Sequence, residues 1–485
     1  MPNPTQDELT LLSEQTDKHI NYQEVWSNKK AIDPYTDSLP GKFCPAPFSS
    51  LYIQTNGEYR VCCVYQGISK VSMHEGNIKN NSLKELWNTK NVCKLRQELI
   101  DGKKSRGCVK CWKTEDAGGF SHRKHLIGKL GPFIPKMLEE YDHATGKMKT
   151  FRIRWLDILW SNICNFACST CGPRFSNTWG KFAKKFLTES NLNYNMGSGM
   201  SMHLEEEQTI KNDYVISSMH QDSNIINEVL DMMPDLHEIH FNGGEPLMQP
   251  ENYRVMNELI NKKHHKLRLW FHTNGTILNY KGQNVLDIWA KMPPECIKIT
   301  NSCDGIGAKG EYIRYGWKEA KWLKFATEVN KRGYGYSICY TVSLFNADHW
   351  PDFINWVHNK EFLPHRDAIS TNFVVNNQIN AQILDDETKK EISDKFETFK
   401  NSLLEKDLKD KEKFALVSTT SSIQKFVNTD YNYPAISLHT ARIYFYDYIT
   451  RLDEMRGTNF LETFPNLHRF YYICKELYDT EMGQH

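Results

Sequence analysis

Six short apolar runs, with helical patterns between them, constrain the fold of this chain more than any other feature. They occupy residues 153–160, 236–242, 267–273, 297–302, 337–343 and 370–375. The segments between them place apolar residues at helical spacing, as over 223–233, 253–262, 319–330 and 352–359. Runs of this length are too short for buried helices, and alternation with helices demands a parallel sheet. An α/β domain over 151–378 is therefore expected, its sheet either open or curled into a partial barrel. Residues 190–213 break the pattern and read as a polar inserted loop.

The remaining chain divides around that domain. Residues 1–43 are polar, carry Pro2, Pro4, Pro34 and Pro40, and read as an extended arm. Residues 44–127 hold a cysteine-rich module, in which 51–55 and 59–61 flank Asn56-Gly57, a hairpin signal. Ser82 is placed to cap a short helix carrying Leu83, Leu86 and Trp87. A Gly-, Pro- and Lys-rich connector follows at 128–150. Beyond 379, Ile392, Phe396, Phe399 and Leu403, then Phe445, Ile449, Leu452 and Met455, recur as amphipathic helices.

Charge and cysteine usage narrow the class. Sixty Lys and Arg balance 59 Asp and Glu, a net charge of +1, so no overall basic field exists to hold nucleic acid. The polar N-terminus does not read as a secretion signal, and no apolar run approaches the ~20 residues that span a bilayer. A soluble, cytoplasmic protein without a membrane partner is expected. In that reducing setting 13 cysteines point to metal rather than disulfides. Six lie between Cys44 and Cys111, three between Cys164 and Cys171, and four stand singly beyond.

The three central cysteines follow the first expected strand. Cys164, Cys168 and Cys171 are one ligand short of a structural zinc site, whereas three thiolates on an iron–sulfur cubane leave one iron open. A zinc site completed from a distance, or three reduced core thiols, is the plainer alternative. Three further strand ends carry polar, glycine-containing turns: Gly243-Gly244-Glu245-Pro246, Thr273-Asn274-Gly275, and Ser302-Cys303-Asp304-Gly305. Each alone is a turn signal. Together they line the sheet edge at which α/β proteins bind ligands.

Cys164-x3-Cys168-x2-Cys171 followed by these turns resembles the radical S-adenosylmethionine superfamily. The resemblance covers 151–378 and implies a (βα)6 partial barrel. It implies a [4Fe–4S] cluster on Cys164, Cys168 and Cys171 whose open iron chelates S-adenosylmethionine. It further implies that Gly243, Gly244 and Glu245 meet the methionine amino group of the cofactor and that Ser302 and Asp304 lie near its ribose. Pro246 and Asn274 are implied as further cofactor-binding residues. The implied reaction is reductive C–S cleavage to a 5′-deoxyadenosyl radical, which takes hydrogen from a substrate. A low-potential flavodoxin or ferredoxin would supply the electron to the cluster. Thr170 departs from the aromatic usual before the third cysteine, so adenine packing must come from elsewhere.

Cys44, Cys62, Cys108 and Cys111 make a second set of four thiols, which by residue type serves zinc or iron–sulfur equally. Cys63 and Cys93 read as spare or core thiols. Cys44-x12-Gly57-x4-Cys62 resembles the opening of SPASM and twitch domains, which implies an auxiliary [4Fe–4S] cluster. Those domains usually follow the barrel; here the module precedes it. Relatives of this kind often modify peptides or proteins, so oxidative modification of a peptide is the expected activity. Dehydrogenation of a small molecule or sugar is a second reading, and a zinc-binding structural protein a third. Tyr312, Arg314 and Tyr315 are candidates to line the cavity, with Arg314 pairing a carboxylate. Tyr340 could face the interior or a covering helix, and Asn346 is a candidate cofactor contact. The stretch Glu115-x2-Gly118-x2-Ser121-x-Arg123 suits packing of the module, and His264-His265 reads as a solvated turn.

Overall fold

The Asn56-Gly57 turn forms as its composition requires, with Gly57 at φ +85° and hydrogen bonds closing it between Gln54 and Glu58. It joins β1 (Ser50–Ile53) to β2 (Tyr59–Arg60). The structure, a computed structural model, describes residues 41–65, 76–116, 121–183, 213–218, 225–263, 266–360, 369–375, 377–432 and 436–482. Nearly all of the expected arm and inserted loop, with Gly118 and His264-His265, lie outside the described residues.

All six expected runs form strands: β3 (Trp155–Ile158), β4 (Glu238–Phe241), β5 (Arg268–Thr273), β6 (Ile297–Ser302), β7 (Gly335–Val342) and β8 (Ile369–Phe373). They pair in parallel in one eight-stranded sheet ordered β8-β7-β6-β5-β4-β3-β1-β2. The hairpin of the cysteine-rich module belongs to this sheet. β1 runs parallel to β3 with Ser50 opposite Trp155 and Ile53 opposite Ile158, and only β2 is antiparallel. The module thus continues the hydrogen-bonding of the α/β unit across the edge of β3.

Ladder partners share a face of the sheet, and the two faces differ sharply. Leu156, Ile158, Ile239, Phe241, Leu269, Phe271, Ile297 and Ile299 fill one face, each buried under helices. Asp157, His240, Trp270, Lys298, His272 and Thr300 share the other. Parallel sheets are normally apolar on both sides. A polar face on six parallel strands marks a surface built for something other than packing.

The helices begin and end where their chemistry dictates. Ser82 and Glu85 form a reciprocal capping box on Leu83–Trp87, whose Leu83, Leu86 and Trp87 are buried. Glu319–Asn330 spans the expected residues. Residues 128–150 are not merely a connector: helix Ile134–Glu140 lies within them and buries Ile134 and Met137. Tyr340 points to the apolar side, packing on Trp350 and Phe353 of the covering helix Trp350–His358 at 5.3 and 4.7 Å between ring centroids. In the C-terminal region Asp386–Glu405 buries Ile392, Phe396, Phe399 and Leu403, and Leu438–Arg456 stops at Gly457 in the left-handed conformation. Among the described residues no helix is long and apolar enough to cross a membrane.

Candidate functional site

The three central cysteines sit in a loop leaving β3, and that loop is fastened from several sides. Asn162 is fully buried, donating to the carbonyls of Pro173 (2.7 Å) and Tyr214 (3.0 Å) and accepting from the Ile216 N–H. The Cys164 N–H donates to Asn177 Oδ1 at 3.0 Å, and the Trp179 indole to the Cys168 carbonyl at 2.8 Å. Burial first, then the charge of Cys168, pushes the Cys171 thiol up to about 12. Cys164 is raised by burial and by Cys168 and Glu245. Thiols gathered in a buried place and opposing one another's ionisation fit a cationic group that takes all three as thiolates. Among the described residues no group of three or more His, Cys, Asp or Glu is arranged to hold a single metal ion.

The turn after β4 packs directly against this loop. A Cβ on Gly244 would lie 2.1 Å from the Ile163 carbonyl oxygen, so only glycine lets the two backbones approach. Gly243 adopts φ +105°, the Gly244 N–H donates to the Ser161 carbonyl, and the Glu245 N–H donates to the Ile163 carbonyl at 2.7 Å. The glycines therefore serve the cysteine loop itself. Glu245 is fully buried and clamps the next turn: Oε1 accepts from Thr273 Oγ1 (2.6 Å) and the Leu247 N–H (3.0 Å), and Oε2 from the Asn274 N–H (2.8 Å). Burial raises its carboxyl to about 7 against the lowering pull of those donors. Asn274 donates to Asn165 Oδ1 at 2.7 Å, tying the turn after β5 to the cysteine loop. Pro246 opens a short 3-10 turn over Pro246–Met248.

The turn after β6 is joined to the same loop by one arginine, Arg314. Asp304 is fully buried, accepts from the Thr341 N–H at 2.7 Å, and lies 2.8 Å from Arg314 Nε. Arg314 thus pairs a carboxylate, and its other end reaches the Cys168 sulfur at 3.9 Å. Ser302 ends β6 half-buried on the polar face. Asn346 spends its amide on the backbone carbonyls of Asp304 and Thr341 and the Ser343 N–H, so it holds turns together.

Two residues of the site gave no sequence signal. Arg456, at the end of Leu438–Arg456, donates to the Ala167 carbonyl and to Ser169 Oγ. Its guanidinium stands 5.1 Å from the Trp179 ring and 4.9 Å from Tyr315. Tyr448, from the same helix, donates to the Ser169 carbonyl at 2.8 Å. The C-terminal helices therefore form one wall of the cysteine loop.

The second thiol set gathers between the hairpin and helix Val109–Asp116. Cys44, Cys62, Cys108 and Cys111 are raised by burial, and Cys44 and Cys108 further by their neighbouring cysteines. Cys62 reaches about 12. Arg123 forms a bidentate pair with Glu115 at 2.9 and 2.6 Å and donates to the Phe43 carbonyl at 2.7 Å, while Ser121 donates to Glu115. This network ties the helix bearing Cys111 to the segment bearing Cys44. Cys93 is buried, and Cys63 is exposed, 3.7 Å from His122 Nε2. Residues 44–112 match the family model of SPASM, an iron–sulfur cluster-binding domain.

The chain carries a SPASM domain. That match speaks for iron–sulfur over zinc within residues 44–112. No curated protein matches the chain. Among solved structures, native anSMEcpe with bound AdoMet is 16% identical, over 52% of this chain and 61% of that one, with TM-score 0.34. The same protein with bound AdoMet and Cp18Cys peptide gives 14%, the same coverages and TM-score 0.33. TYW1 with a lysine–pyruvate adduct bound gives 12% identity over 52% of this chain and 73% of that one, with TM-score 0.26. The SPASM-bearing chain thus spans about three fifths of the anSMEcpe chains.

Proposed function

We propose that this SPASM protein is a radical S-adenosylmethionine enzyme that oxidatively modifies a peptide or protein in the cytosol. The observation that carries the reading is the docking of Gly243–Glu245 onto residues 161–163, which sets the turns after β4 and β5 against the cysteine triplet. Cys164, Cys168 and Cys171 would hold a [4Fe–4S] cluster, and Cys44, Cys62, Cys108 and Cys111 an auxiliary one. Bound together, the first cluster and S-adenosylmethionine supply a 5′-deoxyadenosyl radical. The six parallel strands β3–β8 are assigned as the (βα)6 partial barrel around that site. Gly243, Gly244, Glu245 and Pro246 would border the methionine end, and Asn274, Ser302 and Asp304 the nucleoside end. Glu245, already engaged by three donors, fixes the two turns, and Arg314 holds Asp304 beside Cys168. A flavodoxin- or ferredoxin-class donor supplies the reducing electron.

Anaerobic reconstitution should give about eight irons per chain and dithionite-dependent formation of 5′-deoxyadenosine. Replacing Cys164, Cys168 and Cys171 with Ala should leave about four irons and abolish 5′-deoxyadenosine. Its persistence in that variant would sink the assignment. Peptide substrates are recognised by loss of two hydrogens in mass spectra after turnover with a peptide library.

A further inference from the structure

The polar face of the sheet carries a chain of hydrogen-bonded groups that neither the cysteines nor the turns above employ. Asp157 on β3 lies 2.7 Å from Nδ1 of His240 on β4. Nε2 of His240 lies 3.2 Å from Nδ1 of His272 on β5. Trp270 stacks on His240 with ring centroids 4.2 Å apart, and its indole donates to Thr300 at 2.8 Å. The imidazole of His240 is thus held in one plane between the carboxylate and the second imidazole.

Protonation along this chain follows from valence. Asp157 accepts from His240, from Asn242 Nδ2 at 3.1 Å and from the Trp155 indole at 3.3 Å, so it is an acceptor only. Burial opposes its charge, but the contact with His240 holds its carboxyl below the usual range. His240 must then carry its proton on Nδ1. A neutral His240 has one donor and one acceptor, so in that form its Nε2 accepts and His272 Nδ1 donates. His272 Nε2 is left as a bare lone pair, with no partner among the described residues. Burial first, then its neighbours His240, Lys298 and Arg314, holds His272 down to about 3, so it is neutral at physiological pH. The titratable and charged groups facing this relay are thus Asp157, His240, His122, Lys298 and Arg314.

We infer that Asp157, His240 and His272 form a proton relay that takes a proton from the substrate at His272 Nε2. The inference rests on the function proposed above and deepens it. In the oxidation the substrate loses a hydrogen atom from carbon to the cofactor-derived radical. It loses a proton from the adjacent heteroatom to His272 Nε2, and one electron to an oxidised iron–sulfur cluster as one-electron acceptor. The new bond is N–H on His272. Its Nδ1 proton shifts to His240 Nε2, and the positive charge comes to rest on His240 against Asp157. His272 is the proton acceptor, while His240 and Asp157 are positioning residues. The location suits the task, because His272 stands near the end of β5, from which the Thr273-Asn274 turn leads to Glu245 and the cysteine loop.

The test is isotope-edited NMR of the histidine-labelled full chain, with the His272 signals assigned by their loss in H272Q. The expected spectrum has His272 protonated at Nδ1, bare at Nε2, and unchanged between about pH 6 and 8. D157N, whose amide no longer imposes one tautomer on His240, should convert His272 to a mixture. Diethyl pyrocarbonate, which acylates bare imidazole nitrogens, should modify His272, as mapped by peptide mass spectrometry. A His272 protonated at Nε2, a tautomer indifferent to D157N, or a His272 inert to the reagent would each overturn the relay. A wild-type chain that forms no 5′-deoxyadenosine would instead overturn the radical reading and leave the tautomer result standing.

Discussion

At the scale of single residues, Glu245 shows how burial and hydrogen bonding compete on one carboxyl. Its folded value of about 7 lies above the ordinary 4.5, because burial outweighs three donors. The folded chain therefore binds this proton more tightly than the unfolded chain does. The contribution is full below about pH 4.5 and is lost as pH rises through about 7. E245Q should flatten the dependence in that window, by about 3 kcal/mol at most between pH 4.5 and 8. Urea midpoints of wild type and variant at both ends would measure it; parallel curves would refute the account. Glu245 and the cysteines were legible because a turn motif and a thiol spacing name their own residues. The Asp157–His240–His272 chain was half legible. Ile239-His240-Phe241-Asn242 and Leu269-Trp270-Phe271-His272 alternate apolar with polar, but only the ladder register brings the two histidines together. Arg456 had no signal, since it meets Ala167 across 289 residues.

At the scale of elements, the six strands were legible because short apolar runs between helices have few other ways to be buried. Seven of their twelve ends were read one or two residues too long, where strand and turn share the same residue types, and the starts of β7 and β8 were read too late. The place of β1 was not legible: hairpin chemistry fixes its pairing with β2, but nothing local announces a parallel partner more than a hundred residues away. The turn after β4 makes a sharper prediction. G244A would drive a methyl group to 2.1 Å from the Ile163 carbonyl, and backbone cannot rotate aside as a side chain can. Overpacking of this kind costs about 1–3 kcal/mol, and here the displaced segment leads into Cys164. Reconstituted G244A should fall from about eight irons to about four, with the auxiliary cluster kept. Iron counting and electron paramagnetic resonance would check this; eight irons with an unaltered spectrum would refute it.

At the scale of the molecule, the cysteine-rich module and the α/β unit are bound together along one sheet rather than joined by a tether. Beyond the β1–β3 ladder, the Arg154 N–H donates to the Ser49 carbonyl at 2.8 Å, and Thr55 donates to the Arg174 carbonyl at 3.1 Å. The Leu83 N–H is taken by Glu228 at 2.9 Å. Arg456 and Tyr448 in turn pin the cysteine loop to the C-terminal helix Leu438–Arg456. Removing residues 1–150 would strip the partner from β3, exposing an unpaired edge of Trp155–Ile158 beside a sheet face rich in Leu and Ile. Independent domains joined by linkers unfold separately; units sharing a sheet lose cooperativity only together. The full chain should therefore unfold in one transition, with tryptophan fluorescence and the absorbance of both clusters changing at the same denaturant concentration. A chain of 151–485 should aggregate on expression. Its recovery as a soluble species with its own cooperative transition would mean that β1 merely decorates the edge of β3.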